Sequence, residues 1–186
     1  QTRMNYESIK LTMDGDCVAR LTLARPEIQN AMSMGLVQEL RHALGVIAAD
    51  DKLRAVVLTG EGKSFCAGGD LNWMRSVLGQ SRAQRIAESK VLAELFYEFD
   101  TLPKVVVGRI NGPATGGGFG MTCICDVAIA STAARFSLTE ARLGLLPSCL
   151  KCGQVESEKL FLIEPSQLLP QGAAFRTWLF TLAHHR

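Results

Sequence analysis

The sequence predicts an α/β fold built on buried parallel strands. Three observations carry that expectation. Short apolar runs rich in β-branched residues recur along the chain, among them Ala55-Val56-Val57-Leu58 and Lys104-Val105-Val106-Val107. Segments with apolar residues at helical spacing alternate with them. Glycine-rich turns join one kind of segment to the other. Strand–turn–helix repetition of this sort belongs to sheets covered on both faces, so that their strands read as continuous apolar runs.

In chain order, Cys17 to Leu23 carries Val18, Leu21 and Leu23 in a short strand pattern. Arg25-Pro26 ends it, because the residue before a proline is pushed out of helical backbone. Ser33 is placed to cap a helix. After it Leu36, Val37, Leu40, Ala43, Leu44, Ile47 and Ala48 recur at helical spacing, up to Asp50-Asp51. Ala55 to Leu58 is a short buried strand, and Gly60-Glu61-Gly62 turns out of it. A second amphipathic helix is expected near 81–100, with Val91, Leu92, Leu95, Phe96 and Phe99 as its apolar stripe and Leu102-Pro103 as its break. Lys104 to Val107 starts the next strand, and Asp126 to Ala130 is another. From Leu150 to Arg186 no periodic helix can be read, and Pro165 and Pro170 interrupt the segment.

The 186 residues amount to one domain with enough length to bury a sizeable core. A net charge of +2 gives no electrostatic case for nucleic acid or for an anionic membrane. No run of 18 apolar residues exists, so no membrane span is expected. The first residues lack the apolar stretch of a secretory signal, and a cytoplasmic protein is expected. Its six cysteines, Cys17, Cys66, Cys123, Cys125, Cys149 and Cys152, then read as reduced thiols. Cys149-x-x-Cys152 lacks a second CxxC, and His184 and His185 lie at the far end, so no metal site is assigned.

The chemistry concentrates in two glycine turns, each following an apolar run. They are Phe65-Cys66-Ala67-Gly68-Gly69-Asp70-Leu71 and Asn111-Gly112-Pro113-Ala114-Thr115-Gly116-Gly117-Gly118-Phe119-Gly120. Glycine backbone leaves N–H groups open to a ligand. Two such groups aimed at one point form an oxyanion hole, which suits a thioester whose carbonyl oxygen gains charge as an enolate forms. Either turn alone is also ordinary strand-to-helix punctuation.

A set of ordered motifs carries a resemblance over roughly residues 5–148. Leu23-Ala24-Arg25-Pro26-Glu27-Ile28-Gln29-Asn30-Ala31 resembles the opening motif of the crotonase family, the enoyl-CoA hydratases and isomerases. Lys63 to Leu71 is similar to that family's first oxyanion segment, and Asn111 to Gly118 to its second. Cys125 to Ala130, then Phe136 to Glu140 and Leu143-Gly144-Leu145-Leu146-Pro147, continue the match. The resemblance implies a spiral of ββα repeats with two stacked sheets flanked by helices. It implies an acyl-CoA thioester as substrate, no metal or other cofactor, and homotrimers, often paired into hexamers.

By position the resemblance makes the N–H groups of Gly69 and Gly117 the oxyanion donors and Glu140 the general acid/base. Gly117 would open a helix, where the dipole also favours an anion. Ala24, Ala67, Gly69, Asp70, Leu71 and Gly117 would line the substrate and its CoA portion. Asp70 reads equally well as the cap of a following helix. Beside an apolar acyl chain, Glu140 is expected to feel a desolvation that favours its neutral acid.

Three departures stand beside the match. Many hydratases of the family have a second glutamate two residues after the triple glycine, and here that position is Gly120. The carboxylate position of dienoyl isomerases, eight residues after Glu140, is Ser148, which disfavours that activity. Ser148 to Arg186 does not resemble the family's covering helices, so residues 4–148 are taken as the core domain and 149–186 as a divergent or truncated segment without assignment. Asp70-Leu71-Asn72-Trp73-Met74-Arg75 and Thr139 to Pro147 are most similar to the branch that hydrates branched glutaconyl-CoA thioesters in leucine and acyclic terpene breakdown. Three functions stay open: such a hydratase, a Δ3-Δ2 enoyl-CoA isomerase using Glu140 alone, and a non-catalytic acyl-CoA-binding subunit.

Overall fold

The computed structural model describes residues 5–140 and the strand at 160–163. A six-stranded sheet runs in the order β1-β2-β3-β4-β6-β8. Its strands are β1 (Ile9–Met13), β2 (Val18–Leu23), β3 (Ala55–Gly60), β4 (Val105–Ile110), β6 (Val127–Ser131) and β8 (Leu160–Ile163). From β2 to β8 every neighbouring pair is parallel, as the continuous apolar runs imply. Every residue of β3 is buried, which is the burial of a central strand covered on both faces.

A second, smaller sheet pairs β5 (Ala114–Thr115) with β7 (Phe136–Ser137) in parallel. Isolated parallel bridges extend its line, Cys66 to Ala114 and Met32 to Gly69. The chain therefore winds as a spiral. The turns that begin with β2, β3 and β4 each add a long strand to the large sheet, then a short extended stretch on the line of the small one, then a helix. The spiral of ββα units with two sheets agrees with the expectation, and it sets both glycine turns on the small sheet.

Helix α1 (Met34–Ala49) starts at Ser33, whose Oγ accepts the Leu36 N–H at 3.2 Å. Its buried face is Leu36, Val37, Leu40, Ala43, Leu44 and Ile47, the stripe read from the sequence except for Ala48. Helix α2 (Leu71–Leu78) buries no residue, and its cap is Asp70. Helix α3 (Arg82–Asp100) begins with a reciprocal capping box between Ser81 and Gln84. Arg41 of α1 ties the two long helices together, reaching Glu98 at 2.6 Å and Glu94 at 3.0 Å. The main core lies between these helices and one face of the large sheet, with Leu21, Leu58, Val106, Phe65 and Phe99 in it. Val18, Val57, Val107 and Ile129 form a separate cluster from the alternate positions of the same strands. Phe65 and Phe99 are fully enclosed, and a Phe→Ala truncation at such a site costs about 3–5 kcal/mol.

Three expectations change. The first strand, β1, was not read; it pairs antiparallel with β2, so the sheet is mixed. As an edge strand it buries only Ile9 of its five residues, and its apolar signal is correspondingly weak. The strand expected at Asp126 to Ala130 runs one residue later; Asp126 stands at its head, its N–H donating to Val106 O at 2.9 Å and its carboxylate accepting the Val106 N–H at 2.8 Å. Within the segment read as featureless, Leu160–Ile163 forms β8 beside β6. Four continuous apolar residues have no period that separates strand from helix. Ser148, Cys149, Cys152 and the remaining residues of 149–186 lie outside the described residues.

Candidate active site

The two glycine turns are stitched side by side. Phe65 N and Cys66 N both donate to Pro113 O, at 3.0 and 3.3 Å, and Thr115 N donates to Cys66 O at 3.0 Å. The Thr115 hydroxyl donates to Ala67 O at 2.9 Å. Gly68 holds φ +87°, and a Cβ there would stand 2.8 Å from Thr115 O. A side chain would be strained by that backbone and would also push the second turn away.

Gly69 and Gly117 sit on the facing segments. Gly69 is half-buried, bridged to Met32 and flanked by the Met74 thioether, whose sulfur lies 3.2 Å from where a Cβ would be. Gly117 is buried and opens α4 (Gly117–Cys123). Helix N-termini leave their first N–H groups without an internal acceptor. Among the described residues neither the Gly69 nor the Gly117 N–H donates to any carbonyl or side chain. Two uncommitted backbone donors thus lie on directly bonded segments, which is the arrangement an anionic oxygen requires.

Glu140 comes to the same place. It follows β7, and β7 pairs with β5 within the second turn; Gly116 N donates to Ser137 O at 2.8 Å. A side chain at Gly116 would meet Glu140 Oε2 at 3.4 Å and Thr139 Oγ1 at 3.0 Å. Glu140 Oε2 is buried and has no hydrogen-bond partner among the described residues. An orphaned buried carboxylate oxygen is costly, and its persistence points to a ligand or reactant that the site is shaped to meet.

The other residues singled out by sequence divide. Asp70 caps α2, its Oδ1 accepting from Asn72 N at 2.8 Å and Trp73 N at 3.3 Å, while Arg25 approaches Oδ2 at 3.6 Å. That engagement fits the capping reading. Leu71 is 68% exposed at the first position of α2. Ala67 is half-buried and its N–H donates to Gln29 O at 3.0 Å; Ala24 is half-buried and donates to Ser8 O at 2.8 Å. Gly120 is buried in α4 and donates to Gly116 O at 3.1 Å, so no carboxylate stands there. Met74 and Thr115 were not assigned roles from sequence. Thr115 belongs to the second glycine turn, but only its folded partner at Ala67 O reveals its use.

Burial pushes the thiol of Cys66, within the first turn, up to about 11, and it pushes that of Cys125 up as well. Among the described residues Cys17, Cys66 and Cys125 are in no disulfide. Among the described residues no three His, Cys, Asp or Glu side chains form a group that could hold a metal ion, and no helix is long and apolar enough to cross a membrane.

Residues 14–156 match the family model of enoyl-CoA hydratase/isomerase. The chain is 39% identical over 129 residues to enoyl-CoA hydratase AFT6-1 of Alternaria alternata, covering 69% of this chain and 41% of that protein. It is 36% identical over 146 residues to the short-chain-enoyl-CoA hydratase of Clostridium acetobutylicum, covering 77% and 54% respectively. The chain therefore spans about half the length of the curated relatives it matches. Among solved structures, AtuE of Pseudomonas aeruginosa superposes with a TM-score of 0.73 at 38% identity, over 76% of this chain and 55% of that one. An enoyl-CoA hydratase of Mycobacterium smegmatis superposes over 95% of this chain and 77% of that one, with a TM-score of 0.81 at 27% identity. With the family model matched over most of its length and the two glycine turns brought together in the fold, the chain belongs to the enoyl-CoA hydratase/isomerase family.

Proposed function

We propose that the protein adds water across the double bond of an enoyl-CoA thioester, with no cofactor beyond the CoA of its substrate. The observation that carries the reading is the convergence of the buried Glu140 Oε2 on the glycine turn that also presents the Gly117 N–H, both groups being without a partner among the described residues. In this reading the thioester oxygen accepts from the Gly69 and Gly117 N–H groups. Attack at C3 moves the π electrons onto that oxygen as an enolate, and the two donors stabilise the charge where it develops. The α4 dipole adds to the effect at Gly117. The Glu140 carboxylate takes a proton from water as the oxygen bonds to C3. The resulting acid then returns a proton to C2, so one carboxylate completes the addition. Ala24, Ala67 and Leu71 line the approach of the CoA portion, and Asp70 holds α2 in place beside it.

Gly120 favours a second reading. With Glu140 as the only carboxylate in a position that matches a catalytic one of the family, proton transfer from C2 to C4 needs nothing more, which is a Δ3-Δ2 isomerisation. Incubation with a panel of enoyl-CoA thioesters separates the two: hydration adds the mass of one water, whereas isomerisation moves the conjugation at constant mass. The glutaconyl-type acyl group implied by residues 70–75 and 139–147 belongs in that panel. Glu140→Gln keeps the side-chain shape and removes the proton relay. A kcat loss of about 10²–10⁴-fold is expected, with CoA binding little changed. Wild-type turnover by that variant on the processed substrate would remove Glu140 from the mechanism. A trimeric or hexameric assembly in the cytoplasm completes the proposal, and light scattering giving a clean monomer would overturn the assembly.

A further inference from the structure

Two asparagines outside the assigned site grip the same loop. Asn30 is completely buried and sits at φ +55°, in the left-handed region that asparagine tolerates better than most residues. Its Oδ1 accepts the Arg25 N–H at 2.9 Å. Its Nδ2 reaches Glu61 O at 2.9 Å, Ser64 O at 3.0 Å and Phe65 O at 3.1 Å. Asn111 approaches from the other turn. Its Oδ1 accepts the Gly60 N–H at 3.0 Å, and its Nδ2 donates to Gly62 O at 3.0 Å and Ser64 O at 3.3 Å. Ser64 O is the shared acceptor.

The loop has a physical need for these groups. Residues 61–65 leave β3 without a ladder of their own, yet Ser64 and Phe65 are buried. Their carbonyls need donors that strand pairing does not supply. A carboxamide offers two donors and an acceptor on one planar group, which neither a carboxylate nor a hydroxyl can match. The loop feeds directly into Cys66-Ala67-Gly68-Gly69. Whatever fixes Ser64 and Phe65 therefore fixes where the Gly69 N–H stands relative to Gly117.

We propose that Asn30 and Asn111 are positioning residues that set the spacing of the two oxyanion donors by clamping the carbonyls of Glu61, Gly62, Ser64 and Phe65 from both sides. The inference rests on the oxyanion reading of Gly69 and Gly117. Asn30→Asp and Asn111→Asp keep the shape and the acceptor oxygen while removing the donors. Displacement of reacting groups by about 1 Å can cost about 10²-fold in rate. Each variant is expected to lose about that much in kcat, with KM for the thioester little moved. The double variant should lose less than the two losses multiplied, because both side chains serve Ser64 O. A role confined to stability would lower Tm and leave kcat of the folded protein intact.

Amide NMR of the full chain separates failure of the clamp from failure of the reading beneath it. Acetyl-CoA, a saturated thioester, should shift the Gly69 and Gly117 amide resonances of the wild-type protein. No shift would sink the oxyanion reading itself. A shift that persists unchanged in both variants, with wild-type kcat, would overturn the clamp alone. Asn111 is only half-buried, so Asn111→Asp carries the test if Asn30→Asp does not fold. Hydrogen exchange of the wild-type protein tests it without any variant. The Gly60 amide should be protected together with those of Phe65 and Cys66, and rapid exchange at Gly60 alone would refute the clamp.

Discussion

Substituting Gly118 by alanine tests whether the two glycine turns must touch. Gly118 lies within α4 and its φ is not positive, so alanine suits the helix and favours it by about 0.5–1 kcal/mol over glycine. The cost lies elsewhere. A Cβ at 118 would stand 2.3 Å from Cys66 O and 2.8 Å from Cys66 Cβ, where ordinary contact begins at 3.4 Å. The nearest atom is backbone and cannot rotate aside, and the interior is close-packed, so the first turn must yield by about 1 Å. Overpacking of this kind costs about 1–3 kcal/mol, which outweighs the helical gain. At about 2–4 °C per kcal/mol for a chain of this size, Tm should fall by several degrees. The effect on catalysis should be larger, because Cys66 precedes Gly69 by three residues and the oxyanion donors part with it. A drop of about 10²-fold in kcat is expected from a 1 Å misplacement. Thermal unfolding read alongside loss of conjugated-thioester absorbance measures both. A Gly118→Ala protein with wild-type turnover and an unchanged or higher Tm would show that the turns do not need their contact.

Asp70→Ala should remove the cap of α2 and lower stability by about 1 kcal/mol while changing kcat far less than Glu140→Gln does; a loss of kcat equal to that of Glu140→Gln would make Asp70 catalytic. The raised pKa of Cys66 fixes the sign of an alkaline effect. Its native thiol titrates at about 11 against 9.0 for the free group, so the native state holds a proton that the unfolded state has lost between those values. Stability from this residue is therefore present below pH 9 and is lost as pH rises through about 11, and Cys66→Ala should flatten that part of the urea-unfolding profile. At neutral pH the same burial should keep Cys66 unreactive toward a thiol reagent in the folded protein, and its rapid labelling there would show that the first turn opens readily.

Local signals carried much of this protein. The fully buried β3 was legible because a strand covered on both faces must be apolar throughout, and Ala55 to Leu58 is. Helix α1 was legible at both ends, since Ser33 is a capping residue and the apolar period starts just after it. The ordered motifs, from Leu23 to Pro147, carried the resemblance to the family, and the expected site residues followed from that resemblance. What they could not convey is where groups distant in the chain meet. Edge strand β1 and the four-residue β8 carried too little pattern, and both owe their place to a neighbour in the sheet. Asp70 stood open between a cap and a site residue until its carboxylate was found on Asn72 N and Trp73 N. The orphaned Oε2 of Glu140 beside Gly116, and two asparagines 81 positions apart sharing Ser64 O, exist only in the folded chain. Propensity and periodicity are properties of neighbouring residues, whereas a hydrogen bond across the spiral depends on how successive ββα turns stack, and that stacking is decided by the packing of the whole core.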